Sequence, residues 1–179
     1  MQEVERMLSQ PPIIEKNEKM SGIDDLLNYG SIKNPKKILV KYHRELYPEL
    51  MGLEINPKGN FIDLRSAETV ELKKGDFHVI SLGISVQLPD RYWAQVVPRS
   101  STFKNFGILC VNSFGVIDTS YCGDNDIWKM PVYATRDTVI HINDRICQFR
   151  IVFDNPIRIE EVDHLDNNDR GGIGSTGIK

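Results

Sequence analysis

Residues 77–89 read FHVISLGISVQLP, in which Ile80, Leu82, Ile84, Val86 and Leu88 alternate with Ser81, Gly83, Ser85 and Gln87. A period of two places successive side chains on opposite faces of an extended chain, so the stretch predicts a half-buried strand. After a Pro89-Asp90 turn comes YWAQVVP, rich in β-formers and closed by Pro98, and the two segments read as an antiparallel pair. Further strands are expected at 36–43, 61–64, 68–72, 108–111, 128–134, 138–142, 145–153 and 157–162. Turn residues separate them, among them Asn56-Pro57-Lys58-Gly59, Lys73-Lys74-Gly75-Asp76, Asn143-Asp144 and Asp154-Asn155-Pro156. Many short strands spaced this way predict a sandwich or barrel rather than alternating strands and helices, so the expected class is all-β. Pro131 removes a ladder hydrogen bond from its strand, which should therefore be an edge or carry a bulge.

Helix signals are few. Val4, Met7 and Leu8 have helical spacing, and Ser21 followed by Asp24, Leu26, Leu27 and Gly30 resembles one short capped helix. Residues 1–34 are expected to be an N-terminal extension, 35–165 the β domain, and 166–179 a glycine-rich mobile tail.

Composition narrows the function. A chain of 179 residues, 40% hydrophobic and 26% charged, suits one domain able to bury its own core. A net charge of -3 gives no field for duplex nucleic acid or an anionic membrane, so neither is an expected partner and any anion must be met by a local site. Cys110, Cys122 and Cys147 form no CxxC pair, which speaks against a zinc ribbon and against a secreted disulfide framework. No apolar run reaches signal-peptide or membrane-span length, and a cytoplasmic setting is expected.

Three stretches could carry chemistry. In PRSSTFKNFG (98–107), Ser100 or Ser101 can cap a short helix beside Arg99, with Gly107 at its far end; the arrangement is an anion cradle or a plain capped turn. In RGGIGSTG (170–177), closely spaced glycines let backbone amides approach an oxyanion and Arg170 can grip it, or the segment is a soluble floppy end. It is not a Walker A loop, because Ile178 stands where the lysine belongs. In FGVIDTSY, Asp118 follows Val116 and Ile117 in what reads as a tight hairpin, where a carboxylate can deprotonate a water or simply form a turn; Tyr121 can equally be core.

Taken together and in order, GNFIDLRSAE (59–68), PRSS, NSFGVIDTSYCGD (112–124), INDRICQF and RGGIGSTG resemble the five motifs of the homotrimeric dUTP pyrophosphatases, or dUTPases. The resemblance covers roughly residues 36–179. It implies a jelly-roll-like subunit, a homotrimer with shared active sites, dUTP as substrate and Mg²⁺ as cofactor. By motif position, Asp118 is the general base for water attack on the α-phosphorus, Asn112 reads uracil with help from the backbone at Val116 and Ile117, and Tyr121 packs on deoxyribose. Arg99, Ser100 and Ser101 hold the phosphates, Gln148 bonds near the reacting centre, and Arg170, Gly174, Ser175 and Thr176 close over the β- and γ-phosphates as a lid. Asp63 is the expected contact to Mg²⁺ through water, a role compatible with pairing to Arg145. A virus-encoded copy would act in the host cytoplasm.

The sequence departs from the family's pattern at several places. Ser101 stands where glycine is usual, Cys122 replaces a basic or polar residue, and about three residues are added after Gly123, ahead of Lys129, which the resemblance places near the base. Ile173 occupies the position of an aromatic that stacks on uracil; stacking of that kind is worth about 1–3 kcal/mol. The related dCTP deaminases share an RSS motif but need a glutamate after the third motif, and DNDIWKMPVYATRD has none. A third reading is a regulatory protein that docks a partner on the 124–126 insert or the N-terminal extension.

Overall fold

The structure, a computed structural model, describes residues 36–56 and 58–169. The helices expected within 1–34 and the tail from Arg170 onward lie outside them. The elements are β1 (Leu39–Tyr42), β2 (Ile62–Arg65), β3 (Val70–Leu72), β4 (Phe77–Ser81), β5 (Ile84–Gln87), β6 (Tyr92–Pro98), α1 (Thr102–Phe106), β7 (Ile108–Cys110), β8 (Gly115–Ile117), β9 (Lys129–Ala134), β10 (Thr138–Ile140) and β11 (Arg145–Phe153). The class is all-β. A four-stranded sheet runs β2-β11-β6-β8 and a three-stranded one β4-β9-β7, with β1-β5 and β3-β10 as two-stranded pairs. All pairings are antiparallel.

One core joins the sheets. Leu64, Ala94, Val96 and Phe149 come from the four-stranded sheet, and Ile80, Ile108, Met130 and Val132 from the three-stranded one. Trp128 meets Phe149 edge to face at 5.2 Å between ring centres. Fully burying a side chain of this size contributes about 1.5–3 kcal/mol, so these inward rows carry much of the stability. The cysteines are all free, and burial holds the Cys147 thiol far above its usual range, making it an inert core residue.

The stretch 77–89 is two strands, not one. Gly83 has φ +65°, a left-handed conformation that L side chains rarely adopt, and it breaks the run between β4 and β5. The two halves then join different sheets, and Ile84, Ser85 and Val86 are all buried instead of alternating. Nor do β5 and β6 pair across the Pro89-Asp90 turn: β5 takes β1, and β6 takes β11 and β8. Gly83 is also tightly enclosed, since an added Cβ would lie 2.6 Å from Leu50 Cδ2 and 2.7 Å from the Ala67 Cβ. Gly83→Ala is therefore expected to destabilise by about 1–3 kcal/mol from overpacking, read as a lower urea midpoint at unchanged m-value.

Two other expectations change. Residues 157–162 form no strand; Ile157 and Ile159 are 84% and 88% exposed, and no strand among the described residues lies beside them to complete a ladder. Strand β9, which contains Pro131, is the centre of its sheet. The proline is tolerated because its carbonyl accepts from Val111 N, one residue past the end of β7, so its missing N–H falls where no strand residue asks for it.

Candidate active site

Strand β6 ends at Pro98, and the chain turns through Arg99, Ser100 and Ser101 into α1. The hydroxyl that fixes this turn belongs to Thr102. Its Oγ1 accepts from Arg99 N at 2.9 Å and donates to Ile146 O at 2.8 Å, while the residue is buried. Ser101 occupies the N-cap position with helical φ and ψ of -92° and -8° and makes no side-chain cap bond, so neither expected serine caps the helix. A cap side chain needs an extended backbone to reach forward, and Ser101 has already entered the helical region. The serine hydroxyls are left for another acceptor, with Ser100 exposed. Gly107 ends the helix as expected, left-handed at φ +63° and donating to Phe103 O.

Asp63, on β2, lies between two arginines. Its Oδ1 is 2.8 Å from Arg99 Nε and its Oδ2 is 3.2 Å from Arg145 Nη1. Arg99 Nη1 also donates to Arg145 O at 3.3 Å. Gln148 sits directly opposite Asp63 across the β2–β11 ladder, and its Nε2 is 3.5 Å from Pro98 O. Arg99, Ser100, Asp63 and Gln148 share the lining of one cavity of about 290 Å³, joined by Asn60 and Phe61. Four of the expected residues are thus gathered at one end of β6. The expected pairing of Asp63 with Arg145 is present, whereas Thr102 has no part in the motif reading although it adjoins Ser101.

The Mg²⁺ implied by the resemblance has no ready-made cage here. Among the described residues, no three His, Cys, Asp or Glu side chains cluster to hold a metal, and both Asp63 oxygens are committed to arginines. Such a donor set fits an ion that keeps its waters and arrives on phosphate oxygens.

The second group lies elsewhere. GVI is strand β8, paired with β6 through Ile117–Ala94 and Gly115–Val96, rather than the tip of a hairpin. Asp118 leaves the strand end, exposed, and no hydrogen bond or ion pair holds its carboxylate among the described residues. Its carbonyl accepts from Tyr121 N at 3.1 Å. Tyr121 is 39% exposed, too open for a core residue, and its hydroxyl donates to Ile127 O, two residues before Lys129. Lys129, Asn112 and Val116 are exposed and Ile117 is half-buried. The 124–126 insert folds back on the body: Ser85 Oγ donates to Asp124 O at 3.2 Å, and Lys41 Nζ is 3.6 Å from Asp124 Oδ2.

The two groups do not meet within one chain. Continuing the register, Asp118 comes opposite Trp93, and Thr119 Oγ1 does reach Tyr92 O. Arg99 follows the other end of the same strand. Six residues at about 3.3 Å each separate them by roughly 20 Å. Arg170, Ile173, Gly174, Ser175 and Thr176 lie outside the described residues.

Comparison with known proteins follows the same lines. The family model for dUTPase matches residues 57–177. The SPbeta prophage-derived deoxyuridine 5'-triphosphate nucleotidohydrolase YosS of Bacillus subtilis is 53% identical over 144 residues, covering 80% of this chain and 99% of that protein. Among solved structures, a mutant dUTPase from phage phi11 of S. aureus, described with a structural Mg(II) ion, aligns with a TM-score of 0.63 at 19% identity, over 73% of this chain and 99% of that one. The Staphylococcus bacteriophage 80alpha dUTPase with dUPNHPP aligns with a TM-score of 0.66 at 18% identity, over 80% of this chain and 100% of that one. At such identities these structures speak to the fold, whereas the matched model and the prophage relative settle kinship: this chain belongs to the dUTPase family.

Proposed function

We propose that the chain hydrolyses magnesium-bound dUTP to dUMP and pyrophosphate, in active sites each drawn from more than one copy of a homotrimer. The observation that carries this reading is the division of labour along β6, with a polar cavity lined by Arg99, Ser100, Gln148 and the acids Asp63 and Glu54 at one end, and at the other, roughly 20 Å away, the Asp118 carboxylate, which has no partner among the described residues. A triphosphate is far shorter than that, so the carboxylate that serves one cavity belongs to a neighbouring copy. Family membership and relatives named deoxyuridine 5'-triphosphate nucleotidohydrolases support the substrate.

In this mechanism Arg99, Ser100, Ser101 and Gln148 of one copy bind and orient the phosphate chain. Asp118 of another copy takes a proton from the attacking water, and the α-phosphorus bond to the bridging oxygen breaks as pyrophosphate leaves. Asp63 is the residue that would hold a triphosphate-bound Mg²⁺ through water, and the ion would supply charge neutralisation for the leaving pyrophosphate. Asn112, Val116 and Ile117 read the base, Tyr121 excludes a 2′-hydroxyl, and the tail from 166 closes over the phosphates from Arg170 through Thr176.

Pyrophosphate release measured across dUTP, dTTP, dCTP, dATP and dGTP tests the reading. Turnover is expected with dUTP and magnesium, and to fall sharply on chelation. Ammonia released from dCTP without pyrophosphate from dUTP would overturn it.

A further inference from the structure

A bulge in β11 places Arg145 where the regular pattern of the strand would not. Cys147 pairs with Leu64 and Gln148 with Asp63, yet Arg145 pairs with Arg65, so Ile146 is an extra residue in the strand. In a regular strand Arg145, three positions before Gln148, would point to the opposite face, since side chains alternate with a period of two. The extra residue reverses that parity. Arg145 now shares a face with Arg65, Asp63 and Gln148, and its Nη1 reaches Asp63 Oδ2.

Two arginines directly opposed across a ladder repel, and the neighbouring groups relieve only one of them independently. Arg65 has Glu54 at 3.3 Å and Asn143 O at 3.1 Å. Arg145 is left with Asp63, whose other oxygen holds Arg99. We propose that Arg145 is a positioning residue for phosphate binding: by occupying Asp63 Oδ2 it keeps that carboxylate from gripping Arg99 with both oxygens, and so leaves the remaining Arg99 N–H donors facing the cavity. A carboxylate released from Arg145 would turn to form the stronger two-pronged pair with Arg99, drawing donors away from any incoming phosphate. The backbone bond from Arg99 Nη1 to Arg145 O fixes the orientation from a second side and survives a side-chain replacement.

This inference rests on the phosphate-binding reading of the cavity, and its test can be separated from that reading by using inorganic pyrophosphate as well as dUTP. Arg145→Gln is expected to raise KM for dUTP about tenfold with kcat within about twofold, the pattern of a lost binding interaction. Calorimetry should show a similar loss in pyrophosphate affinity at unchanged melting temperature. Arg145→Lys, which can still pair with Asp63 Oδ2, should recover most of it. In an Arg99→Ala background, Arg145→Gln should add little, because the two act through one carboxylate. Wild-type binding of pyrophosphate by Arg145→Gln, or an undiminished effect in the Arg99→Ala background, overturns the inference, the latter by making Arg145 a direct phosphate contact. Wild-type protein that binds no pyrophosphate overturns it too. If the wild type binds pyrophosphate but does not hydrolyse dUTP, and Arg145→Gln weakens that binding, the proposed reaction falls and the positioning role stands.

Discussion

Asp118→Asn is expected to lower kcat by about a hundred- to ten-thousandfold while leaving nucleotide affinity close to that of the wild type. The substitution removes the proton acceptor and keeps the shape. Main-chain carbonyl oxygen, not carboxylate, closes the turn to Tyr121, so the turn survives in asparagine, which is itself a good turn former. The wild-type carboxylate is exposed and has no ion pair or hydrogen bond among the described residues whose loss could destabilise the fold. Single-turnover kinetics on dUTP, together with titration of a non-hydrolysable analogue, separates the two effects. Equal loss of turnover and affinity, or a lowered melting temperature, would make Asp118 a structural turn residue.

Much of this protein can be read from its side-chain pattern, and the parts that cannot share a physical cause. Short alternating runs bounded by turn residues locate nearly every strand, because period-two burial is local information. Pairing is not local. The Ile84–Gln87 run reads as continuous with the residues before it because Gly83 fits either phase of an alternation; its left-handed backbone and the Leu50 and Ala67 side chains crowding it become visible only in three dimensions. Likewise the PRSS motif points to the correct turn but to the wrong cap, since Thr102 is secured by Ile146 O, 44 residues away. Asp63, Arg99 and Gln148 can be named one by one. Their convergence depends on the β2–β11–β6 register, and Arg145 joins them only through a bulge that no residue type announces. Asp118 is equally legible, while its distance from Arg99 in the same chain follows from β8 pairing with β6 in the sense that sends it toward Tyr92.

That distance leads to the second large effect. If each site joins Asp118 of one copy to Arg99 of another, Asp118→Asn and Arg99→Ala chains are each inactive alone but complement one another when mixed. Random assortment in equal amounts gives a site its intact Asp118 with probability one half and its intact Arg99 with the same probability, so about a quarter of the wild-type activity should return. The chains must exchange first, by brief denaturation and joint refolding or by co-expression, and mixing without exchange serves as the blank. A chain carrying both substitutions, refolded with an equal amount of wild type, gives an independent reading. A site shared between two copies then needs both to be wild type, so activity should fall to about a quarter, whereas a site built within one chain would keep about half. Were both residues to serve the same site from the same chain, the two single variants could never repair one another, and the mixture would stay as inactive as its components. Recovery well above background therefore requires that neighbouring copies build the site between them, the arrangement proposed from Asp118 and Arg99 lying at opposite ends of one strand.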